Sequence, residues 1–169
     1  HFVGYGFTVE EVVRLGRFAY SGGLLGRSQT EDAKHVEHAL TLTGMQDKRQ
    51  QSVLTLSGGE LQRTFLAQVF AQNPQILILD EPANHLDLIY QKHIFSLIET
   101  WLRQPGRAVV SVVHDLSLAR KYGTHAVLMH RGQCAAQGKI GDVMTAEKLQ
   151  AVYEMDVYGW MREMLGQWA

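Results

Sequence analysis

Two short apolar runs, each followed at once by polar residues, restrict the fold of this chain more than any other feature. Residues 76–79 are all isoleucine or leucine and lead into Asp80 and Glu81, and residues 108–113 lead into His114. The first run is unbroken, which is typical of a strand that is buried on both faces of a parallel sheet, and the second run predicts another buried strand. Because a stretch with helical spacing separates the two runs, the sequence predicts a parallel strand–helix–strand unit with a right-handed crossover.

The polar residues after these runs are candidates for a functional site. In open α/β sheets, ligands bind beyond the carboxyl ends of the strands, where Asp80, Glu81 and His114 would lie. Side chains alternate along a strand, so two neighbouring acids at its end can serve separate tasks. Taken alone, the acid pair could equally be a solvated turn, and the histidine could simply bond a nearby carbonyl.

Residues 56–63, Leu-Ser-Gly-Gly-Glu-Leu-Gln-Arg, predict the start of a helix with an unusual first turn. Ser57 and Glu60 have the spacing of a capping box. Gly58 and Gly59 need a reason, because a glycine inside a helix costs about 1 kcal/mol relative to alanine, and somewhat less in a first turn. Bare backbone N–H groups at the positive end of a helix let a phosphate come close. For these eight residues alone, an ordinary capped helix remains an alternative.

Taken together and in this order, the motifs resemble those of the ATP-binding cassette family. Residues 56–63 resemble its signature sequence, and Asp80 and Glu81 resemble its Walker B aspartate and catalytic glutamate. Residues 83–87 resemble its D-loop, and His114 resembles its switch histidine. No single motif would be specific for the family, but four motifs in the family's order are a specific signal.

The resemblance implies a role for each of these residues in ATP hydrolysis. It implies that Asp80 holds Mg²⁺ through water, that Glu81 is the general base, and that His114 contacts the γ-phosphate. In the family, two cassettes pair head to tail, so the signature of one closes over ATP that is held by the other. This arrangement implies nucleotide binding in trans by Ser57, Gly58, Gly59 and Glu60. Asp87 would either bridge the two sites or cap the following helix, and the sequence favours the cap.

The implied fold is α/β, with a helical subdomain and a partial P-loop NTPase (RecA-like) core that contains the parallel sheet. We expect the helical signature subdomain over residues 1–73, the partial core over residues 74–144 and a C-terminal tail over residues 145–169. In the first of these, Thr8 and Glu11 have capping-box spacing and predict a helix that extends to about residue 20. The last fifteen residues are rich in aromatic side chains and carry no recognisable pattern.

A phosphate-binding loop is missing from the sequence. It would consist of glycine, four residues, and then Gly-Lys-Ser or Gly-Lys-Thr, between a strand and a helix. The nearest stretch, residues 22–28, is too short between its glycines, has Arg27 in place of the lysine and follows a predicted helix. In the family, this loop and the Q-loop precede the signature. The chain therefore resembles the later part of a cassette, and we expect it to be inactive on its own.

Four less specific motifs resemble those of importers for iron(III)-siderophores, haem and cobalamin. They lie in residues 8–18, 24–27, 84–87 and 152–157. This resemblance implies permease subunits as partners, an indirect link to a substrate-binding protein, and a place at the cytoplasmic face of the membrane. It also implies a groove beside the first helix that receives a short helix of the permease, with Phe18, Tyr20, Leu24 and Leu25 as candidate contacts. The alternative is that Leu24 and Leu25 pack back onto the domain's own helices.

Two other classes of ATPase compete with the importer. A cassette protein without a permease, acting on ribosomes or DNA, usually carries two cassettes or long coiled-coil insertions, whereas this chain has one signature and no heptads. A RecA-type helicase also has an acid pair after a strand, but it would not need residues 57–59. The formal net charge of −1 gives no sign of a nucleic-acid surface. No apolar run approaches the roughly 20 residues of a membrane-spanning helix.

Overall fold

The computed structural model describes residues 6–18, 29–84 and 86–168 of the 169-residue chain. The chain divides after Val112 into two compact units. The predicted contacts Tyr20, Leu24 and Leu25 lie outside the described residues, as do all of residues 22–28, the stretch nearest to a phosphate-binding loop.

Three helices form the first part of the first unit: α1 (Val9–Leu15), α2 (Gln29–Thr43) and α3 (Gly58–Ala71). The capping box of Thr8 and Glu11 is confirmed, but the expected length of α1 is wrong, because the helix already ends at Leu15. At Gly16 the chain meets the backbone of α3, and a Cβ atom there would lie 2.1 Å from the Gln68 carbonyl oxygen. This close approach requires glycine at the end of α1.

The core of this helical part is formed by apolar side chains from all three helices. Two 3₁₀ turns, Gln46–Lys48 and Val53–Thr55, lead from α2 to α3. Arg49 joins the first of them to α1 and α2, since its guanidinium lies 3.0 Å from a Glu10 carboxylate oxygen and 3.1 Å from one of Glu37. The fully or almost fully buried residues are Val9, Val12, Val13, Val36, Ala39, Leu40, Met45, Leu66, Ala67, Phe70 and Ala71.

The predicted strand–helix–strand unit is confirmed. Strand β1 (Ile76–Asp80) pairs in parallel with β2 (Ala108–Val112), and α4 (Leu88–Leu102) connects them. The expectation that both strands are buried on both faces is wrong. Leu77 is buried, but its neighbour Ile78 is 81% exposed and Val110, opposite Ile78, is 59% exposed. Among the described residues, only one face of this strand pair is covered.

Helices α3 and α4 are joined by an aromatic contact. The rings of Phe70, near the end of α3, and Trp101, near the end of α4, are stacked with their centroids 5.9 Å apart. Both side chains are buried. The signature-like helix is therefore attached to the helix that follows the acid pair.

The second unit consists of a short helix, a hairpin and three further helices. These are α5 (Leu116–Tyr122), β3 (His125–His130), β4 (Gln133–Lys139), α6 (Ile140–Val143), α7 (Ala146–Tyr153) and α8 (Val157–Gly166). The hairpin turns through Arg131 and Gly132, both with positive φ. The residues that carried no pattern form α8, which packs through Val157 against Met144 and Leu149. In the described part of the chain, each helix is too short or too polar to cross a membrane.

Candidate functional site

The N-terminus of α3 is held by the capping box that the sequence predicts. The backbone N–H of Ser57 donates to Glu60 Oε2 over 2.8 Å, and the N–H of Glu60 donates to Ser57 Oγ over 3.4 Å. The ammonium group of Lys48 lies 2.5 Å from Glu60 Oε1, a contact between separate segments that the sequence pattern did not reveal. The hydrogen bonds from Lys48 and from Ser57 lower the pKa of the Glu60 carboxyl from 4.5 to about 2.

This lowered pKa predicts a pH dependence of stability. A carboxyl whose pKa is lower in the folded state stabilises the fold fully above its unfolded pKa, near 4.5, and loses this effect as pH falls towards about 2. The stability advantage of the wild type over Glu60→Gln should therefore shrink on acidification. Denaturant unfolding of both chains between neutral pH and about pH 3 would measure it. In a Lys48→Gln background, the stability difference that Glu60→Gln causes should be smaller. A stability difference between the wild type and Glu60→Gln that stays the same at all pH values would contradict the lowered pKa of Glu60.

The two glycines of the first turn of α3 have different surroundings. A Cβ atom on Gly58 would meet nothing within 4 Å, and this residue is exposed. Gly59 is buried, and a Cβ atom there would lie 2.6 Å from two ring carbons of Tyr90, on α4. The open backbone that the sequence argument requires for a phosphate is thus found at Gly58. At Gly59, the neighbouring ring is a second reason for glycine, one that the spacing of residues in the sequence does not reveal.

The acid pair lies where β1 ends. Asp80 is the last residue of the strand and is exposed, and Glu81 follows it with a φ of 46°. Such a left-handed conformation is uncommon for a residue other than glycine and costs about 1–3 kcal/mol. It is held by hydrogen bonds from the Glu81 N–H to the Val112 carbonyl (3.0 Å) and from the Asn84 N–H to the Glu81 carbonyl (3.1 Å). The Asn84 side-chain amide also donates to Glu81 Oε2, so both the backbone and the carboxylate of Glu81 are oriented.

The turn after the acid pair contacts α3 directly. The Gln62 side chain, one helical turn into α3, donates to the Pro82 carbonyl oxygen over 3.0 Å. Asp87 ends the turn and caps α4, because its Oδ1 accepts from the N–H groups of Ile89 (3.1 Å) and Tyr90 (3.0 Å). The cap that the sequence favoured for Asp87 is therefore confirmed. The structure thus joins the first turns of α3, the acid pair and Asp87 within one compact unit.

His114 belongs to the second compact unit. It is exposed and follows β2 after one intervening residue, as the sequence pattern predicts. The next residue, Asp115, caps α5 through hydrogen bonds from the N–H groups of Ser117 (2.7 Å) and Leu118 (3.1 Å). The local structure therefore places His114 between a strand end and a helix cap.

The chemistry of these groups fits a phosphate and a magnesium ion. Mg²⁺ prefers oxygen ligands and is usually bound by one or two carboxylates together with phosphates and water. The exposed Asp80 carboxylate supplies such an oxygen at the strand end. A phosphate needs close access to backbone N–H groups at a helix start, and Gly58 leaves that approach open.

Comparison with known proteins shows which family this arrangement resembles. A family model described as ABC transporter matches residues 2–84. The chain is 45% identical over 152 residues to the uncharacterized ABC transporter ATP-binding protein YvrA of Bacillus subtilis, and the match covers 89% of this chain and 34% of YvrA. It is 35% identical to the iron(3+)-hydroxamate import ATP-binding protein FhuC of B. subtilis, covering 89% of this chain and 56% of FhuC. It is 37% identical to the ferric enterobactin transport ATP-binding protein FepC of Escherichia coli, and the match covers 86% of this chain and 54% of FepC.

Solved structures show the same fold. An ABC transporter in an inward-facing conformation superposes with a TM-score of 0.81 at 21% identity, covering 92% of this chain and 61% of that one. The dimeric bacterial ABC transporter cassette MJ0796 gives a TM-score of 0.66 at 28% identity, covering 79% of this chain and 57% of that one. The predicted cassette fold, with helices and a parallel sheet, is confirmed. The chain spans about half the length of FhuC and FepC.

Proposed function

We propose that this chain, which belongs to the ATP-binding cassette transporter family, is part of the ATP-hydrolysing subunit of an importer for an iron chelate (a siderophore or haem) or for cobalamin. The observation that carries the proposal is the likeness, over 86–89% of the chain, to ATP-binding proteins named for ferric hydroxamate and ferric enterobactin. The subunit would work at the cytoplasmic face of the membrane with permease subunits, and through them with a substrate-binding protein.

In this proposal, the residues of the acid pair do the chemistry. Glu81 accepts a proton from the attacking water, and the amide of Asn84 orients its carboxylate. Asp80 would hold Mg²⁺, which when bound supplies positive charge at the β- and γ-phosphates. His114 would contact the γ-phosphate.

The N-terminus of α3 would act on nucleotide held by a second, head-to-tail cassette. Ser57, Gly58 and Gly59 would present the hydroxyl and the backbone N–H groups to the phosphates. The Glu60 carboxylate is engaged by Lys48 and by Ser57, so its role would be to fix the cap. Asp87 caps α4. Any contact of Asp87 with the second cassette would therefore be made from the N-terminus of that helix.

A permease-free ATPase that acts on ribosomes or DNA is the alternative, and it is not favoured. The relatives described above are named for import and transport, and the net charge of −1 offers no attraction to nucleic acid. A groove on the helical part offers an experimental test between the importer and the permease-free ATPase. Beside α1 lies a groove of about 590 Å³ with apolar and charged lining, which includes Phe7, Leu15, Phe18, Val36, Arg14 and Asp32.

We propose that this groove receives a short cytoplasmic helix of the permease. Phe18 is 78% exposed at its rim, so Phe18→Glu should leave the melting temperature of the intact subunit close to that of the wild type. Copurification with the permease should be lost, because a charge opposes apolar docking. Val127→Glu, at a 61% exposed site in the second unit, is the matched control. Normal copurification of the Phe18 variant would remove the groove from the docking surface, and a large fall in melting temperature would assign Phe18 to the domain's own packing.

A further inference from the structure

Helices α3 and α4 contact each other near both of their ends. Gly59 faces Tyr90 at the start of the two helices, and Phe70 stacks on Trp101 eleven residues further along each of them. At 1.5 Å per residue, the two contacts are about 16 Å apart on each helix. Because they keep the same spacing on both helices, they fix the register of α3 against α4.

At the start of the two helices, a side chain on Gly59 would fit only if the ring of Tyr90 moved. Two ring carbons of Tyr90 occupy the place that a Cβ atom of Gly59 would need, at 2.6 Å. The backbone of Tyr90 is itself held, since its N–H donates to Asp87. The Gln62 amide, bonded to the Pro82 carbonyl, holds the same part of α3 from a second side. The backbone of the first turn of α3 is therefore supported by the segment that follows the acid pair.

We infer that Tyr90 is a positioning residue for the signature: its ring supports the backbone of Gly59 and so sets where the N–H groups of α3 face the nucleotide of the second cassette. This inference rests on the proposed function. Gly59 must then be glycine because of the ring behind it, whereas Gly58, with open space around it, must be glycine only for access of the phosphate. The two adjacent glycines thus have separate tasks that substitution can distinguish.

The test uses the intact ATP-binding subunit assembled with its permease, and it measures both turnover of ATP and affinity of the isolated subunit for ATP. Gly59→Ala should lower turnover about tenfold, the effect of forcing a methyl group into filled space. Tyr90→Ala alone should lower turnover, because the backbone of Gly59 loses its support. Added to Gly59→Ala, it should restore part of the lost turnover, because the ring that collides with the methyl group is gone. Adding Tyr90→Phe should restore nothing, because the ring remains. Affinity for ATP should be unchanged throughout, since the signature acts on the partner's nucleotide.

Gly58→Ala is the matched control on the neighbouring residue. Any loss that it causes should not respond to Tyr90→Ala, because no ring lies near it. Failure of Tyr90→Ala to rescue Gly59→Ala would overturn the inference, and so would an equal loss of turnover and of ATP affinity, which indicates general unfolding. If the wild-type assembly hydrolyses no ATP, the proposed function fails and the inference with it. An active wild type without rescue overturns the inference alone.

Discussion

Glu81→Gln in the intact subunit is expected to abolish most ATP turnover while ATP binding persists. Loss of a general base costs about 10²–10⁴-fold in rate, and glutamine keeps the shape of the side chain without its basicity. The side chain is well placed for this role, because its backbone and its carboxylate are both held by Asn84. Steady-state phosphate release and equilibrium nucleotide binding would measure the two effects separately.

Asp80→Asn is the matched control for that experiment. It also removes one carboxylate, but from the residue to which we assign the metal, so it should weaken the magnesium dependence. Turnover of Glu81→Gln near the wild-type rate would show that the base has been assigned wrongly. The same magnesium response in the wild type and in Asp80→Asn would refute the assignment of the metal.

Self-association of the 169-residue chain is the second large effect that we expect. Ile76, Ile78, Val110 and Val112 lie on one face of the β1–β2 pair and are 60%, 81%, 59% and 52% exposed. An apolar strand surface of this kind tends to pair with another chain. Light scattering should therefore show oligomers that grow with concentration.

Charge on that face should suppress the association. Ile78→Lys with Val110→Lys places two cations on the exposed face of the strand pair, and burying these charges against another chain is unfavourable, so the monomer should be favoured. Val127→Lys, on the exposed side of β3, adds charge elsewhere and should leave the association unchanged. A monomeric wild type at high concentration would contradict the expectation.

Local patterns predicted much of the site, because its parts are set by neighbours in the chain. The capping box of Ser57 and Glu60, the cap at Asp87 and the strand ending at Asp80 depend on residues a few positions away. Local spacing determines such features. The family resemblance, which these same motifs carried, is supported by relatives that align over most of the chain.

Contacts between distant segments could not be predicted in this way. Tyr90 lies behind Gly59, and Lys48 pairs with Glu60 across a loop, so neither has a periodic signal in the sequence. The burial of β1 also escaped prediction, because an apolar run does not reveal how many of its faces are covered. Gly59 stands out in the sequence, because glycine is unfavourable inside a helix. Its contact with Tyr90 on α4 is visible only in the folded structure.

ATP-driven uptake by the intact importer tests the central claim most directly. The measurement is the accumulation of a labelled ferric siderophore, haem or cobalamin in proteoliposomes that contain the intact ATP-binding subunit, its permease and its binding protein. We predict uptake of one of these compounds that requires ATP on the side of the ATP-binding subunit and that stops with Glu81→Gln. Absence of ATP-dependent uptake for all three, or undiminished uptake with Glu81→Gln, would contradict the account.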